Sequence, residues 1–382
     1  VKEMKNNSAI LSVLLFLSFF ILLTSCGEQK AKWGGTIEEE DGITIVRNPK
    51  EPIYKEEVLQ LEEDLVITSP EDEDLMFQSL TFLAVDENES IYVSDSKAGH
   101  MLVFDKSGGS VRAIGRRGQG PGEMMYPFEV LILGQKDLFV NDIGQAKVHF
   151  YTLEGEFIRQ MTTSQMPLFR RPKVDSEGNI IVSYVVTGEP FEFFLKKMDV
   201  EFNPICDLAS CTAVTQPPVL EYFEIRRSTN YVWNVLCTDE IVWGDFRNYE
   251  IHVCNPEGKC IKKIFKDFDG IPITQAEKDK LIQNMYGDNP VPSEITLKFP
   301  DSYPPFIRFT CDEAGRIFVQ KYDNSLDEDR INYDIFDAEG KYIAKTTLNY
   351  RPQIWKNGMM YCVEEDEEGF QVIKRYRANW TI

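Results

Sequence analysis

The sequence predicts an all-β fold: a six-bladed β-propeller with four-stranded antiparallel blades and one helix inserted between blades four and five. Three observations carry this reading. One stretch reads as a complete blade, its landmarks recur along the chain, and turn-forming residues separate the apolar runs. The stretch is 84–115, AVDENESIYVSDSKAGHMLVFDKSGGSVRAIG. Asp86-Glu87-Asn88-Glu89 is turn chemistry, because such side chains bond neighbouring backbone. Ile91-Tyr92-Val93 and Met101-Leu102-Val103-Phe104 are runs of strand formers. Asp105-Lys106-Ser107-Gly108-Gly109 is a second turn, with glycines free to take positive φ. Val111 to Ile114 alternates as the last strand, and 80–85 supplies the first.

The end of the third strand recurs as an apolar residue, a short polar residue and then glycine. Phe104, Asp105 and Gly108 return as Tyr151, Thr152 and Gly155, then as Cys254, Asn255 and Gly258, and as Phe336, Asp337 and Gly340. Met198 and Asp199 make another copy, with Phe202 in the glycine place. Second strands start at Ile91, Leu138, Ile180, Ile241, Ile317 and Met360. The spacing of roughly fifty residues suits propeller repeats. A ring of such blades leaves only short, protected edges.

With Gly115-Arg116-Arg117-Gly118-Gln119-Gly120-Pro121-Gly122-Glu123, the pattern resembles the NHL-like six-bladed β-propellers, specifically a family of bacterial lipoproteins. The likeness runs from about Ile43 to the end of the chain, and the motif is close to that family's G-x-x-G-x-G-P-G-E. The resemblance implies a fold and a location. It brings no settled activity, so it supplies no catalytic residues.

Lys2 and Lys5 precede an apolar run over 9–23, then Leu23-Thr24-Ser25-Cys26. A basic start, a short apolar core and small residues read as a secretory signal peptide over 1–25. The run falls short of the roughly 20 residues that span a membrane. The Leu-Thr-Ser-Cys ending looks like a lipoprotein signal with Cys26 as the lipidation site; the alternative is a plain signal with a chance cysteine. Gly27 lacks the acidic residue associated in some bacteria with inner-membrane retention, which points to the outer membrane of the cell envelope. Residues 26–42 are polar and read as a flexible tether, and 43–382 as the propeller. Either 43–46 or 58–61 is expected to supply the fourth strand of blade six. Between blades four and five, 266–305 is long. Thr274-Gln275-Ala276-Glu277 fits a capping box, followed by apolar residues at helical spacing. A connection of that length is more often functional than random.

Lys and Arg number 41 against 62 Asp and Glu, a net charge of −21. Such a domain repels nucleic acid and anionic membrane surfaces, so the only membrane contact expected is the lipid anchor. Eight cysteines leave seven beyond Cys26, an odd number. Cys254 and Cys260 flank a turn and could face each other across a hairpin. Of the three histidines, His149 and His252 share a repeat position that favours packing between blades over metal binding. Neither a metal nor a cofactor is expected. The acidic runs 71–74 and 364–368 read as solvated loops. Asp95, Asp142 and Asp245 end second strands, where bonding to the next turn outweighs a role at the channel.

Nine residues before each second strand stand Phe82, Glu129, Arg171, Val232, Arg308 and Arg351. Equal register means equal depth in a ring, so Arg171, Arg308 and Arg351 are expected to converge at the channel mouth. Arg116, Arg117, Arg170, Arg226 and Arg227 lie in or near the same inter-blade connections, with Glu129 as an internal partner. Arginine suits bidentate recognition of carboxylate or phosphate. Tyr126, Phe169, Tyr222, Phe223, Tyr303 and Trp355 are candidate apolar walls. The alternative is that each arginine pairs with an acidic neighbour. The expected function is a binding or scaffolding module for an anionic small molecule, an acidic glycan or an envelope protein. The competing class is a propeller lyase or hydrolase acting on an acidic sugar; no HExxH, G-x-S-x-G or Walker motif supports it.

Overall fold

The computed structural model describes residues 32–109, 112–163, 169–186, 191–213, 219–221, 231–245, 248–293, 296–299, 301–322 and 330–382. Residues 1–25, read from the sequence as a signal peptide, and Cys26 lie outside the described residues. Gly34–Ile382 forms one compact unit.

Five four-stranded antiparallel meanders follow in chain order, beginning at Leu80–Val85, Pro127–Leu133, Phe169–Val174, Tyr231–Val235 and Phe306–Cys311. The sixth sheet is Ile354–Lys356, Met359–Glu365 and Gln371–Trp380, completed by Leu59–Ile67. That strand pairs antiparallel with the last one, from Leu59 opposite Trp380 to Ile67 opposite Ile373. Of the two segments expected to close the ring, the second does so. The first, Ile43–Asn48, adds in parallel to Cys260–Lys266 on the outer edge of blade four. Thr36–Glu40, in the segment read as tether, pairs with it and is exposed along its length. The first strands of neighbouring blades approach one another around most of the ring and so form its inner wall.

The turn chemistry recurs as the repeat predicts. Asp105 Oδ1 accepts from the amides of Ser107 and Gly109, Asp199 Oδ1 from Glu201 and Asn203, and Asp337 Oδ1 from Glu339 and Lys341. The glycine place takes positive φ at Gly108 (79°), Gly155 (98°), Gly258 (86°) and Gly340 (91°). Phe202, standing where the others have glycine, takes it too, at 62°. A non-glycine residue there is strained, and its ring is held against Phe139 at a centroid distance of 6.3 Å.

The core lies between blades rather than in one mass. Blades five and six bury Phe318, Tyr333, Ile335 and Trp355 against each other, while blades six and one share Ile67, Leu83, Ile91, Tyr361 and Ile373. Two glutamines of blade six reach across the seam to the first strand of blade one. Gln371 Oε1 accepts from Leu80 N at 2.7 Å, and Gln353 Oε1 from Leu83 N at 3.0 Å. Trp355, considered as a ligand wall, is instead stacked on Phe318 inside the core (4.8 Å, 19°). Glu364 is also not a solvated loop residue. It is buried in a strand, accepts from Tyr376 Oη at 2.8 Å and lies 3.3 Å from Lys374 Nζ.

The helix Gln275–Tyr286 lies between blades four and five, with the expected capping box at Thr274 and Glu277. Among the described residues, no helix is long and apolar enough to cross a membrane.

Candidate functional site

The connections into blades and the turns between second and third strands share one face. Asp95 accepts from the amides of Gln78 and Ser79 just ahead of blade one, and from Ala98 in its own turn. Asp142 does the same for Met125, Tyr126 and Gly144. These aspartates hold the connection to the turn beside it, a backbone role; the Asp245 side chain is outside the described residues.

On this face the inner strands carry the register that the sequence singled out. Glu129 pairs opposite Asn141, Val232 opposite Gly244 and Arg308 opposite Gln320. Each partner lies at the same step of its second strand, so these positions share a depth. In blade three a bulge falls between Arg170 and Lys173, and it puts Arg170 rather than Arg171 opposite Ser183, the equivalent step. The Arg170 and Arg171 side chains lie outside the described residues. Arg351 precedes the short first strand of blade six and is exposed.

Around Arg308 the pairing can be followed across the whole of blade five. Tyr333 lies in the row that runs Arg308, Gln320, Tyr333, Thr346 across blade five. Side chains of directly opposed residues stand on the same face of a sheet, and this face packs against blade six. Burial pushes the Tyr333 hydroxyl up to about 12, and both guanidinium groups pull against that shift. Gln320 Oε1 and Thr346 Oγ1 in the same row are buried without a hydrogen-bond partner among the described residues. Sequence counting missed these three residues because they lie on second, third and fourth strands. Their signal is cross-strand register, which needs the pairing to be known. Glu129 sits in blade two, three blades from Arg308 in a ring of six, and accepts from Asn141 Nδ2 at 2.7 Å.

Arg116 and Arg117 are differently employed. They pair in parallel with Glu123 and Met124 inside the glycine-rich loop. Glu123 Oε1 accepts from Arg116 Nε at 2.9 Å and from its Nη2 at 2.6 Å, and Glu123 Oε2 accepts from Gly120 N at 2.9 Å. The amide of Gly120 and then the Arg116 guanidinium hold this carboxyl below its usual range. A concave run of backbone amides can bind an anion; here the loop's own Glu123 is that anion. A Cβ at Gly118 would meet the Glu123 carboxylate and have to displace it. The Arg117 guanidinium donates to the Lys97 carbonyl in the neighbouring turn. Arg308 and Arg351 thus stand on adjacent blades, five and six, while Tyr222, Phe223, Arg226 and Arg227 lie outside the described residues.

His149 is fully buried beside Tyr151 and Phe157, and its Nε2 is 3.7 Å from Asp142, too far for a hydrogen bond. His252 stacks on Trp243 (3.9 Å, 4°), with Nε2 3.1 Å from Glu250 Oε1. Cys254 and Cys260 face each other in register as free thiols. The hydrogen bond from Cys254 and the nearby His252 hold the Cys260 thiol low, and the same pairing holds Cys254 high. Among the described residues, no three His, Cys, Asp or Glu side chains are grouped to hold a metal ion.

Residues 72–204 match a family model described as "6-bladed beta-propeller". No curated protein sequence matches the chain. Among solved structures, a putative exported protein from Bacteroides fragilis NCTC 9343 superposes with a TM-score of 0.55 at 12% identity, over 87% of this chain and 99% of that one. A member of the duf4221 family from Bacteroides vulgatus atcc 8482 gives 0.49 at 12% identity, over 85% and 99%. Virginiamycin B lyase from Staphylococcus aureus gives 0.44 at 9% identity, over 83% and 99%. The first likeness concerns the fold alone: a six-bladed β-propeller.

Proposed function

We propose that the chain is a lipid-anchored extracytoplasmic binding module that takes an anionic small molecule or acidic glycan at the channel mouth. Arg308 and Arg351 are the charge-reading groups, and Arg170 and Arg171 extend the set on blade three. The observation that carries this reading is positional: Arg308 stands on the inner strand of blade five at the depth shared by the other blades, and an exposed Arg351 leads into the inner strand of adjacent blade six, in a molecule of net charge −21. Like charges gathered in an acidic protein favour an anionic ligand.

The test is calorimetric titration of the mature chain with galacturonate oligomers. Charge-assisted hydrogen bonds contribute about 1.5–3 kcal/mol each, so Arg308→Ala with Arg351→Ala is expected to weaken binding at least tenfold, with higher salt weakening it further. Affinity unchanged in the double variant would remove the arginines from the site. Shortened oligomers appearing in the mixture would move the reading from receptor to enzyme.

The anchor is tested separately. Cys26→Ala should move the protein from the outer-membrane fraction to a soluble one, because stable attachment needs more than one acyl chain. Undiminished membrane recovery of that variant would refute lipidation.

A further inference from the structure

A second positively lined site lies off the axis, between blades four and five. There a cavity of about 280 Å³ opens against the inserted segment that follows Lys266. Its lining holds two carboxylates, Glu51 and Asp269, and four lysines from three parts of the chain. Lys50 is on the N-terminal segment, Lys266 ends blade four, and Lys321 and Lys345 stand on blade five. Blade five turns these two towards blade four because Lys321 pairs opposite Phe306, and Lys345 opposite Asp334. Phe306 and Asp334 both meet Tyr249 of blade four.

The four ammonium groups are not equally committed. Lys266 is buried at the floor, 3.3 Å from Asp334 Oδ2 and 4.8 Å from the ring centroids of Tyr249 and Tyr342. Lys50 pairs with Asp269, and Lys345 with Glu51 at 2.9 Å; all four of these side chains are about half exposed or more. Exposed pairs of this kind contribute about 0–1 kcal/mol, so a ligand oxyanion can exchange for the carboxylate. Among the described residues, no carboxylate forms an ion pair with Lys321. Burial holds the Lys266 ammonium low, and Lys321 and Lys345 lower it further against the pull of Asp334. Against the four ammonium groups stand three carboxylates, Asp269, Glu51 and Asp334, so one positive charge is left over at the cleft.

One wall is flat and aromatic. Tyr303, from the inserted segment, stacks on Tyr322 at 4.2 Å and 10°. A few convergent polar groups beside an aromatic wall is the make-up of a small-molecule site, and the volume lies just below the roughly 300–1,000 Å³ range of such sites.

We propose that this cleft is a second anion-binding site, separate from the axial arginines, for a monosaccharide-sized ligand bearing a phosphate or a carboxylate. Lys321 and Lys345 take the oxyanion, and the Tyr303–Tyr322 pair takes the apolar side of the ring. Lys266 supplies charge from below while remaining bound to Asp334. A polymer does not fit the cavity, and nucleic acid is repelled by the net charge of −21.

Calorimetric titration of the mature chain with glucose 6-phosphate, galacturonate and glucose tests this. Saturable binding of either anion, with none of glucose, is expected, and the anion that binds tells phosphate from carboxylate. Lys321→Gln and Lys345→Gln should each weaken binding about tenfold, and the Arg308→Ala/Arg351→Ala variant should leave it unchanged. Lys266 is left intact because its removal strands Asp334. If neither anion binds, or if neither lysine variant weakens binding, the proposal is overturned. Loss of binding in the arginine variant alone also overturns it and assigns the anion to the axis.

Discussion

Asp334→Ala is expected to lower the free energy of unfolding by about 3–5 kcal/mol, the usual cost of removing one partner from a buried ion pair. Asp334 is fully buried on blade five. Its Oδ1 accepts from Tyr342 Oη at 2.6 Å, its Oδ2 accepts from Tyr249 Oη at 2.7 Å, and Oδ2 also faces Lys266 Nζ. Burial and the nearby Asp334 charge push both tyrosine hydroxyls well up, so both remain donors. Alanine would leave an ammonium and two hydroxyls without their acceptor in one enclosed space. An unpaired buried hydroxyl alone costs about 1–3 kcal/mol. Since whole domains have only about 5–15 kcal/mol, most of the stability would be lost. Urea denaturation measures it. Replacing Lys266→Met together with Asp334→Leu should cost less than Asp334→Ala alone, because the stranded charge goes with its partner. A loss under 1 kcal/mol for Asp334→Ala would mean that water or another group already shares the load.

That cluster also marks where the sequence stops being readable. The repeat made the blades legible because each landmark is local. Asp105 bonds amides two and four residues on, and Phe202 could be placed by its neighbours although it is not glycine. The capping box at Thr274 was legible for the same reason. Positions fixed by long-range pairing were not. Counting nine residues back finds the right depth at Glu129 and Arg308, but fails by one in blade three, where the bulge around Arg171 inserts a residue. Nothing local distinguishes 43–48 from 59–67 as the closing strand. Lys50, Lys266, Lys321 and Lys345 are scattered along the chain and meet only when blades four and five are side by side. The partner of Arg116 was not legible, because Glu123, seven residues on, folds back to it only through a parallel pair that spacing does not announce.

A chain beginning at residue 68 is expected to yield no soluble monomer, whereas one beginning at Asn48 should fold with a lower melting temperature. The two differ by residues 48–67, which hold the ring-closing strand Leu59–Ile67 together with Asn48 and the amides of Ile53 and Tyr54 that bond blade five. Loss of that strand exposes the backbone edge of Gln371–Trp380, a ten-residue strand that would then offer unpaired groups to other chains. It also removes the buried Val58, Leu59 and Ile67. At about 1.5–3 kcal/mol for each such side chain, burial alone accounts for several kcal/mol, comparable with the stability of a whole domain. Ile67 further packs into the seam between blades six and one and lies close beside Gly108, so that junction would loosen as well. Removing Thr36–Glu40 and most of Ile43–Asn48 is milder. Ile45 and Val46 are lost from an outer edge, but every blade keeps its four strands. Asn48 is retained because it accepts from Tyr342 N at 2.7 Å and donates to the Gly340 carbonyl at 2.9 Å. Size-exclusion chromatography and thermal denaturation separate the outcomes. A soluble, cooperatively unfolding monomer starting at residue 68 would show that the glutamine contacts of Gln353 and Gln371 hold the ring without the closing strand.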